Sequence, residues 1–230
     1  MYRARTGVVG VSDHDDTAGR ADGAAAGWPV ELRGVTESVV ATLGPNEQWN
    51  MAALGLHAPE SPAEPVTATT WGNTRTKRNF HRQGGGVVQF TADPREFVDA
   101  ALTIREAADP VLPNAEAWVE VSAVAVETGE DEGTEWERWE LSPTDAGTVG
   151  SERPRTINRG FYAVVDATVA ASRLDVAAFD TATLLNRLAY FETVVEKTGG
   201  PREEAAFETL SEETGWRSLA AEPDDGNESF

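Results

Sequence analysis

The chain has 230 residues, 40% of them hydrophobic, and sets 39 Asp and Glu against 19 Lys and Arg for a net charge of -20. That is enough for one large or two small folded domains. The absence of cysteine excludes disulfides, thiolate catalysis and cysteine-held metal, and the acidic excess disfavours a nucleic-acid partner, whose phosphates meet a repulsive field.

No apolar run approaches the roughly eighteen residues of a membrane helix. The first residues lack the apolar core of a secretion signal, so a cytoplasmic protein is expected. Carboxylates lie in nearly every segment, and Lys77 and Lys197 are the only lysines. This texture predicts a halophilic protein: at about 1 M salt the Debye length is near 3 Å and self-repulsion costs little.

Residues 1–27, with "DHDDTAGRADGAAAG", show no sustained period and read as a flexible leader. The barrel-like half follows over 28–155. "ESVVATLG" and "WNMAALGLHA" flank the turn formers Gly44-Pro45-Asn46-Glu47, which predicts a β-hairpin. "PVTATTW" is a third strand and "GVVQFTA" a fourth. Between them "NTRTKRNFHRQ" is too polar for a strand and predicts a short helix capped by Asn73 or Thr74, ended by glycines. "DPREFVDAAL" opens a second helix, with Asp93 as cap and Pro94 in its first turn. Trp118, Val119, Val121, Val124 and Val126 belong to a long strand, and "TEWERWEL" pairs back on it across "GEDEG".

From residue 156 the period changes. Phe161, Val164, Val165, Thr168 and Val169 recur at helical spacing and predict one apolar helix face. Leu184, Leu188, Phe191 and Val195 mark a second helix ending at Gly199-Gly200-Pro201, and "REEAAFETLSEE" a third. The helical region runs over 156–216 and an acidic tail over 217–230. The expected class is α+β, mainly β.

Chemistry concentrates in "TWGNTRTKRNFHRQGGG". No Asp or Glu lies between Glu64 and Asp93, yet Arg75, Lys77, Arg78 and Arg82 crowd together. Neither phosphate-loop signature, GxxxxGK[ST] or GxGxxG, is present. A strand end, Gly72 and a hydroxyl-rich helix start still make a phosphate site, because first-turn N–H groups and the helix dipole favour an anion. Salt bridges to neighbouring carboxylates are the competing reading. Asn50, Met51, Ala52 and Ala53 are small, flexible or amide-bearing, which leaves room for a flat ligand or packs a barrel interior. Arg159 meets an anion or pairs with an acid, and Lys197 suits a helix C-terminus. His14, His57 and His81 lack a metal-binding spacing, and no GxSxG elbow occurs.

The ordered set "TESVVATLGPNEQWNMAALGL", "TWGNTRTKRNF", "VVQFTADPREFVDAAL", "NRGFYAVVDATVAASRL" and "VVEKTGG", about Val30 to Glu213, resembles a mainly archaeal family of unknown function. Its members look like split barrels that bind flavin mononucleotide (FMN), related in fold to flavin reductases and pyridoxamine-phosphate oxidases. The resemblance implies a six-stranded antiparallel split β-barrel followed by a C-terminal helical layer, assembled as a homodimer with FMN near the interface. By position the phosphate meets Thr74, Thr76, Arg78 and Asn79, with Thr74 and Thr76 as alternative hydroxyls, and Gly72, Asn73 and Arg75 belong to the same cofactor-binding set. The ring lies along Asn50 to Ala53. The implied function is an FMN flavoprotein of flavin reductase-like type. A non-catalytic flavin carrier or sensor is the alternative, a deazaflavin a variant ligand, and an RNA- or protein-binding barrel the distant third.

Overall fold

The structure is a computed structural model that describes residues 27–61, 64–149 and 153–221. The leader, Gly27 apart, lies outside them. Strands β1 (Val35–Leu43) and β2 (Trp49–His57) pair from Val35↔His57 to Leu43↔Trp49. Side chains alternate across a strand. Val40, Leu54 and Leu56 therefore enter one apolar cluster, while Val39, Ala41 and Met51 enter another on the opposite face.

Strands β3 (Val66–Trp71), β4 (Gly85–Thr91), β6 (Ala115–Asp131) and β7 (Thr134–Thr148) close a ring in the order β1–β2–β3–β7–β6–β4, every pair antiparallel. Two short strands add to it, β5 (Arg105–Ala107) on β2 and β8 (Ile157–Asn158) on β1. The protein is thus a closed six-stranded antiparallel barrel with two extra strands and a C-terminal helical layer, as the resemblance implies.

The barrel is filled by Val88, Phe90, Val119, Val121, Trp139 and Leu141. Helix α1 (Arg75–Gln83) packs at one end, where Phe80 meets Trp139 edge-on at 5.1 Å between ring centroids. Helix α2 (Pro94–Leu102), capped by Asp93, covers the outer cluster around Met51 and Val87. The glycines after α1 have a steric cause. A Cβ on Gly85 would stand 2.1 Å from the Val121 carbonyl oxygen, and one on Gly86 2.6 Å from that of Ala41.

The β6–β7 hairpin turns through Glu132 and Gly133, both at positive φ, a two-residue turn matched to strand twist. The ladder has register shifts at Glu120/Val121 and Ala125/Glu127. Val124 and Val126 are exposed, because alternation sets them on the face opposite buried Val119, Val121 and Ala123.

Among the described residues four helices follow: α3 (Arg159–Ala171), α4 (Thr181–Thr198), α5 (Pro201–Thr214) and α6 (Trp216–Ala221). Helix α3 corrects the sequence reading. Its buried face is Gly160, Ala163, Ala167, Ala170 and Ala171, while Phe161, Val165 and Val169 are exposed. Small residues let two backbones approach closely, and Leu184 and Leu188 of α4 supply the volume between them. Helix α6 also extends into the stretch expected to be tail, because Trp216 is buried against Phe207 and donates to Ser211 Oγ at 2.9 Å.

Asp180 caps α4, accepting from the Thr183 N–H at 2.7 Å. Hydrogen bonds from Thr183 hold its carboxyl below the usual carboxylate range. A lowered folded-state pKa gives stability that is complete above the unfolded value, about 3.9, and is lost as pH falls through the folded one. Asn caps equally well without titrating. The thermal midpoint of wild type should therefore fall faster than that of Asp180→Asn as pH drops through the carboxylate range. Parallel melting curves across that range would refute this.

Candidate functional site

The barrel's seam lies along one edge of β2. There β3 pairs only at Leu56↔Ala68 and His57↔Thr67, and β5 pairs only at Trp49, Asn50 and Met51. Among the described residues Ala52–Gly55 face no strand on that side. Opposite stands the end of β3, Thr69–Trp71, and α1 begins just beyond it. The chain turns at Gly72, whose φ is 66° and whose N–H donates to the Glu135 carbonyl at 2.7 Å.

Thr74 is the N-cap of α1, with its Oγ1 accepting from the Lys77 N–H at 3.2 Å. The Thr74 carbonyl accepts from the Arg78 N–H. The first-turn N–H groups of Arg75 and Thr76 have no intrahelical acceptor, which is the general condition of a helix start. Asn73, Thr74 and Arg78 are exposed here and Thr76 is buried.

The basic island divides in two. Arg75 pairs with Glu106 of β5 at 2.8 Å, and Lys77 with buried Glu137 of β7 at 3.5 Å. His81 also reaches Glu137, Nε2 to Oε2 at 2.9 Å, and packs edge-on against Trp139. Glu137 thus ties two residues of α1, one turn apart, to the barrel wall. Arg78 and Arg82 have neutral partners instead. Arg78 Nη1 donates to the carbonyl and the side-chain oxygen of Asn73, both at 2.9 Å, and Arg82 Nη2 donates to the Leu43 carbonyl and to Asn79 Oδ1. Among the described residues no carboxylate compensates their positive charge at contact range, and that of Arg78 stands beside Asn73 and Thr74.

The other candidate residues are distributed less simply. Asn79 is buried, and its amide donates to the carbonyl and hydroxyl of Thr42 at 3.3 and 3.0 Å. It fastens α1 to β1. Asn50 is buried opposite Thr42, and partly buried Ala52 packs on the barrel core. Met51 is 2% exposed in the outer cluster, accepting from Gln89 Nε2 at 3.7 Å. Its side chain is therefore core and does not line the seam, a correction whose cause is the packing of α2 over this end of the outer face. Ala53 stays partly exposed on the outer face, and Gly55 continues that face.

Arg159 opens α3 and its Nε donates to Glu37 Oε1 at 2.7 Å. Glu37 lies opposite Gly55 across the β1–β2 ladder. The Arg159–Glu37 pair thus lies across β2 from the seam, at the end away from α1. Asn50 and Gly55 are five residue steps apart along the strand, about 17 Å. Sequence reasoning also missed Glu106 and Glu137. Both sit on strands remote from the island in the chain, and only the strand register brings them to it. Lys197 is exposed in the last turn of α4, where a cation suits the dipole.

Two family models match the chain: "Protein of unknown function (DUF447) N-terminal domain" over residues 36–149 and "Protein of unknown function (DUF447)" over 158–212. The chain belongs to this family of unknown function. The boundary between the models falls between the barrel and the helical layer. Among solved structures the chain is similar to the FMN-bound protein MM1853 from Methanosarcina mazei, at 24% identity over 79% of this chain and 95% of that one, TM-score 0.44. It is also similar to the flavin reductase of the styrene monooxygenase from Pseudomonas putida S12, at 13% identity over 56% and 92%, TM-score 0.36. A third is an FMN-binding protein from Thermus thermophilus with bound p-hydroxybenzaldehyde, at 15% identity over 59% and 85%, TM-score 0.37.

Proposed function

We propose that this protein is an FMN-binding flavoprotein, with the phosphate at the start of α1 and the ring along the open edge of β2. The observation that carries the reading is the exposed group of Asn73, Thr74 and Arg78 beside the free N–H groups of Arg75 and Thr76, next to the seam. A helix start and an uncompensated guanidinium together suit a doubly charged ester. Membership in a family that includes the FMN-bound protein MM1853 supports the same reading. Gly72 supplies the turn, and Arg75, Thr76 and Asn79 position the helix start. Ala53 and Gly55 form a small-residue floor for the ring, and Arg159 stands at its far end.

Bound FMN would bring hydride and electron transfer. This chain's residues would bind it, orient it and set its electrostatic surroundings. A flavin reductase-like oxidoreductase is the activity in best accord with the site. Purification in molar salt with added FMN should yield a protein that keeps a flavin absorption spectrum through gel filtration. Colourless protein with no FMN binding would refute the reading. A flavin-loaded protein that leaves NADH and NADPH unoxidised would instead favour the non-catalytic carrier or sensor.

The proposal extends to a homodimer in the cytoplasm of a halophile. Its support is the uncovered stripe of Phe161, Tyr162, Val165 and Val169 on α3, each 39–54% exposed. In this acid-rich chain α3 contains a single carboxylate, Asp166, so two copies can meet there with little charge repulsion. Val165→Glu should convert a dimer to a monomer in analytical ultracentrifugation while leaving the circular dichroism spectrum unchanged. If the wild type sediments as a monomer, or the variant still as a dimer, that face is not the interface.

No helix among the described residues is long and apolar enough to cross a membrane.

A further inference from the structure

A cavity lies at the opposite end of α1. It is an open pocket of about 270 Å³ lined by Leu43, Trp49, Gln83, Val87, Glu120 and Thr144, among others, with the Gly84–Gly86 backbone as one wall. We propose that this cavity binds the adenine of a dinucleotide, and that Arg82 at its rim holds the second phosphate of the same molecule. The inference rests on the flavin reading above, because it continues the ligand from the phosphate site at Thr74 and Arg78.

Size is the first argument. Drug-sized ligands occupy pockets of about 300–1,000 Å³; this cavity falls below that range and suits one flat base, not a whole flavin. Its walls are the second. Trp49, Leu43 and Val87 offer apolar and aromatic surface for a ring. The Glu120 carboxylate is an acceptor for an exocyclic amine, and the Gln83 amide can both donate and accept. A carboxylate in the cavity repels phosphate, so the anionic part of a ligand belongs outside it.

Charge placement is the third argument. Arg82 donates to the Leu43 carbonyl, at the cavity lining, and to Asn79 Oδ1. Both acceptors are neutral, so its charge remains available. Arg78 and Arg82 are one helical turn apart on the same face, and α1 is nine residues long, about 14 Å. Two cations therefore lead from the phosphate site at the start of α1 to the base-sized cavity at its end. A mononucleotide uses the first alone, whereas a diphosphate-bridged dinucleotide uses both. The adenosine diphosphate part belongs either to FAD in place of FMN or to a nicotinamide dinucleotide.

The experiment titrates the full chain in molar salt with FMN, FAD and ADP-ribose. The variants are Thr144→Trp, which fills the cavity from an exposed strand position, and Glu120→Ala, which removes the acceptor. If FAD is the ligand, it should bind at least tenfold tighter than FMN. Thr144→Trp should abolish that advantage without changing FMN affinity, and Glu120→Ala should reduce it several-fold. If a nicotinamide dinucleotide is the ligand, ADP-ribose should bind the FMN-loaded protein, and both variants should weaken it. FAD no tighter than FMN, together with no binding of ADP-ribose, overturns the proposal. So do two variants that bind FAD and ADP-ribose like wild type. Binding of ADP-ribose with no binding of FMN would keep the cavity assignment and remove the flavin reading.

Discussion

Arg78→Ala should weaken FMN about 10- to 100-fold and leave riboflavin affinity unchanged. Hydrogen bonds to charged groups contribute about 1.5–3 kcal/mol, and riboflavin lacks the phosphate that would receive them. Arg78 is the suited residue because its partners are neutral: it holds Asn73 through the carbonyl and the side chain, both at 2.9 Å. Its charge is not spent on a carboxylate, unlike those of Arg75 and Lys77. Arg78→Lys should recover part of the loss, since it keeps the charge but not the planar fork that can hold Asn73 and a phosphate together. Raising the salt concentration should narrow the gap between wild type and variant, because the phosphate site is exposed and screened. Equal losses of FMN and riboflavin would remove the phosphate from this position.

Asn158→Ala should destabilise the fold by about 3 kcal/mol in equilibrium denaturation. Two roles meet in this buried side chain. Its Oδ1 caps α3 by accepting from the Phe161 N–H at 3.0 Å, and an N-cap contributes about 0.5–2 kcal/mol. Its Nδ2 donates to the carbonyls of Arg33, Val35 and Thr198 at 2.7, 3.1 and 2.9 Å. Those carbonyls belong to the chain entering β1, to β1 itself and to the end of α4, so one amide joins the barrel to the helical layer. Deserted buried acceptors cost about 1–3 kcal/mol in total. Asn158→Asp separates the roles. Aspartate caps a helix as well as asparagine does, but it places an acceptor against three acceptors. It should be at least as damaging as alanine. Near-wild-type stability of Asn158→Asp would reduce the residue to a helix cap.

The same junction explains why glycines gather there. A Cβ on Gly34, at φ 49°, would stand 2.3 Å from the Gly199 carbonyl oxygen, and one on Gly160 would stand 2.5 Å from the Gly199 Cα. Three segments remote in sequence meet backbone to backbone, and no local pattern announces it.

The elements themselves were legible. The hairpin around Gly44–Glu47, a cap at Asn73 or Thr74 and another at Asp93, and the helix stop at Gly199-Gly200-Pro201 are local events, governed by turn chemistry and by N–H groups within a few residues; the structure selects Thr74. The family resemblance added the barrel's closure, which strand alternation alone does not specify. Legibility failed where packing partners choose a face. On α3 the sequence presents two candidate faces, one of Val and Phe and one of Ala and Gly. Burial of the smaller face follows from how closely α4 approaches, not from hydrophobicity. Along β2 alternation sets Asn50 and Ala52 on the inner face and Met51 and Ala53 on the outer one, where the cluster under α2 buries Met51 and leaves Ala53 partly exposed at the seam.

By itself, then, the sequence determined an acid-dominated chain with one cationic helix start following a strand, because charge counts, caps and periods act over a few residues. Only the tertiary structure decided which cations stay available. Glu106 and Glu137 reach the island through strand register across many intervening residues, and they neutralise Arg75 and Lys77 while Arg78 and Arg82 keep neutral partners. Coulomb interaction depends on distance in space, and the barrel's closure sets that distance.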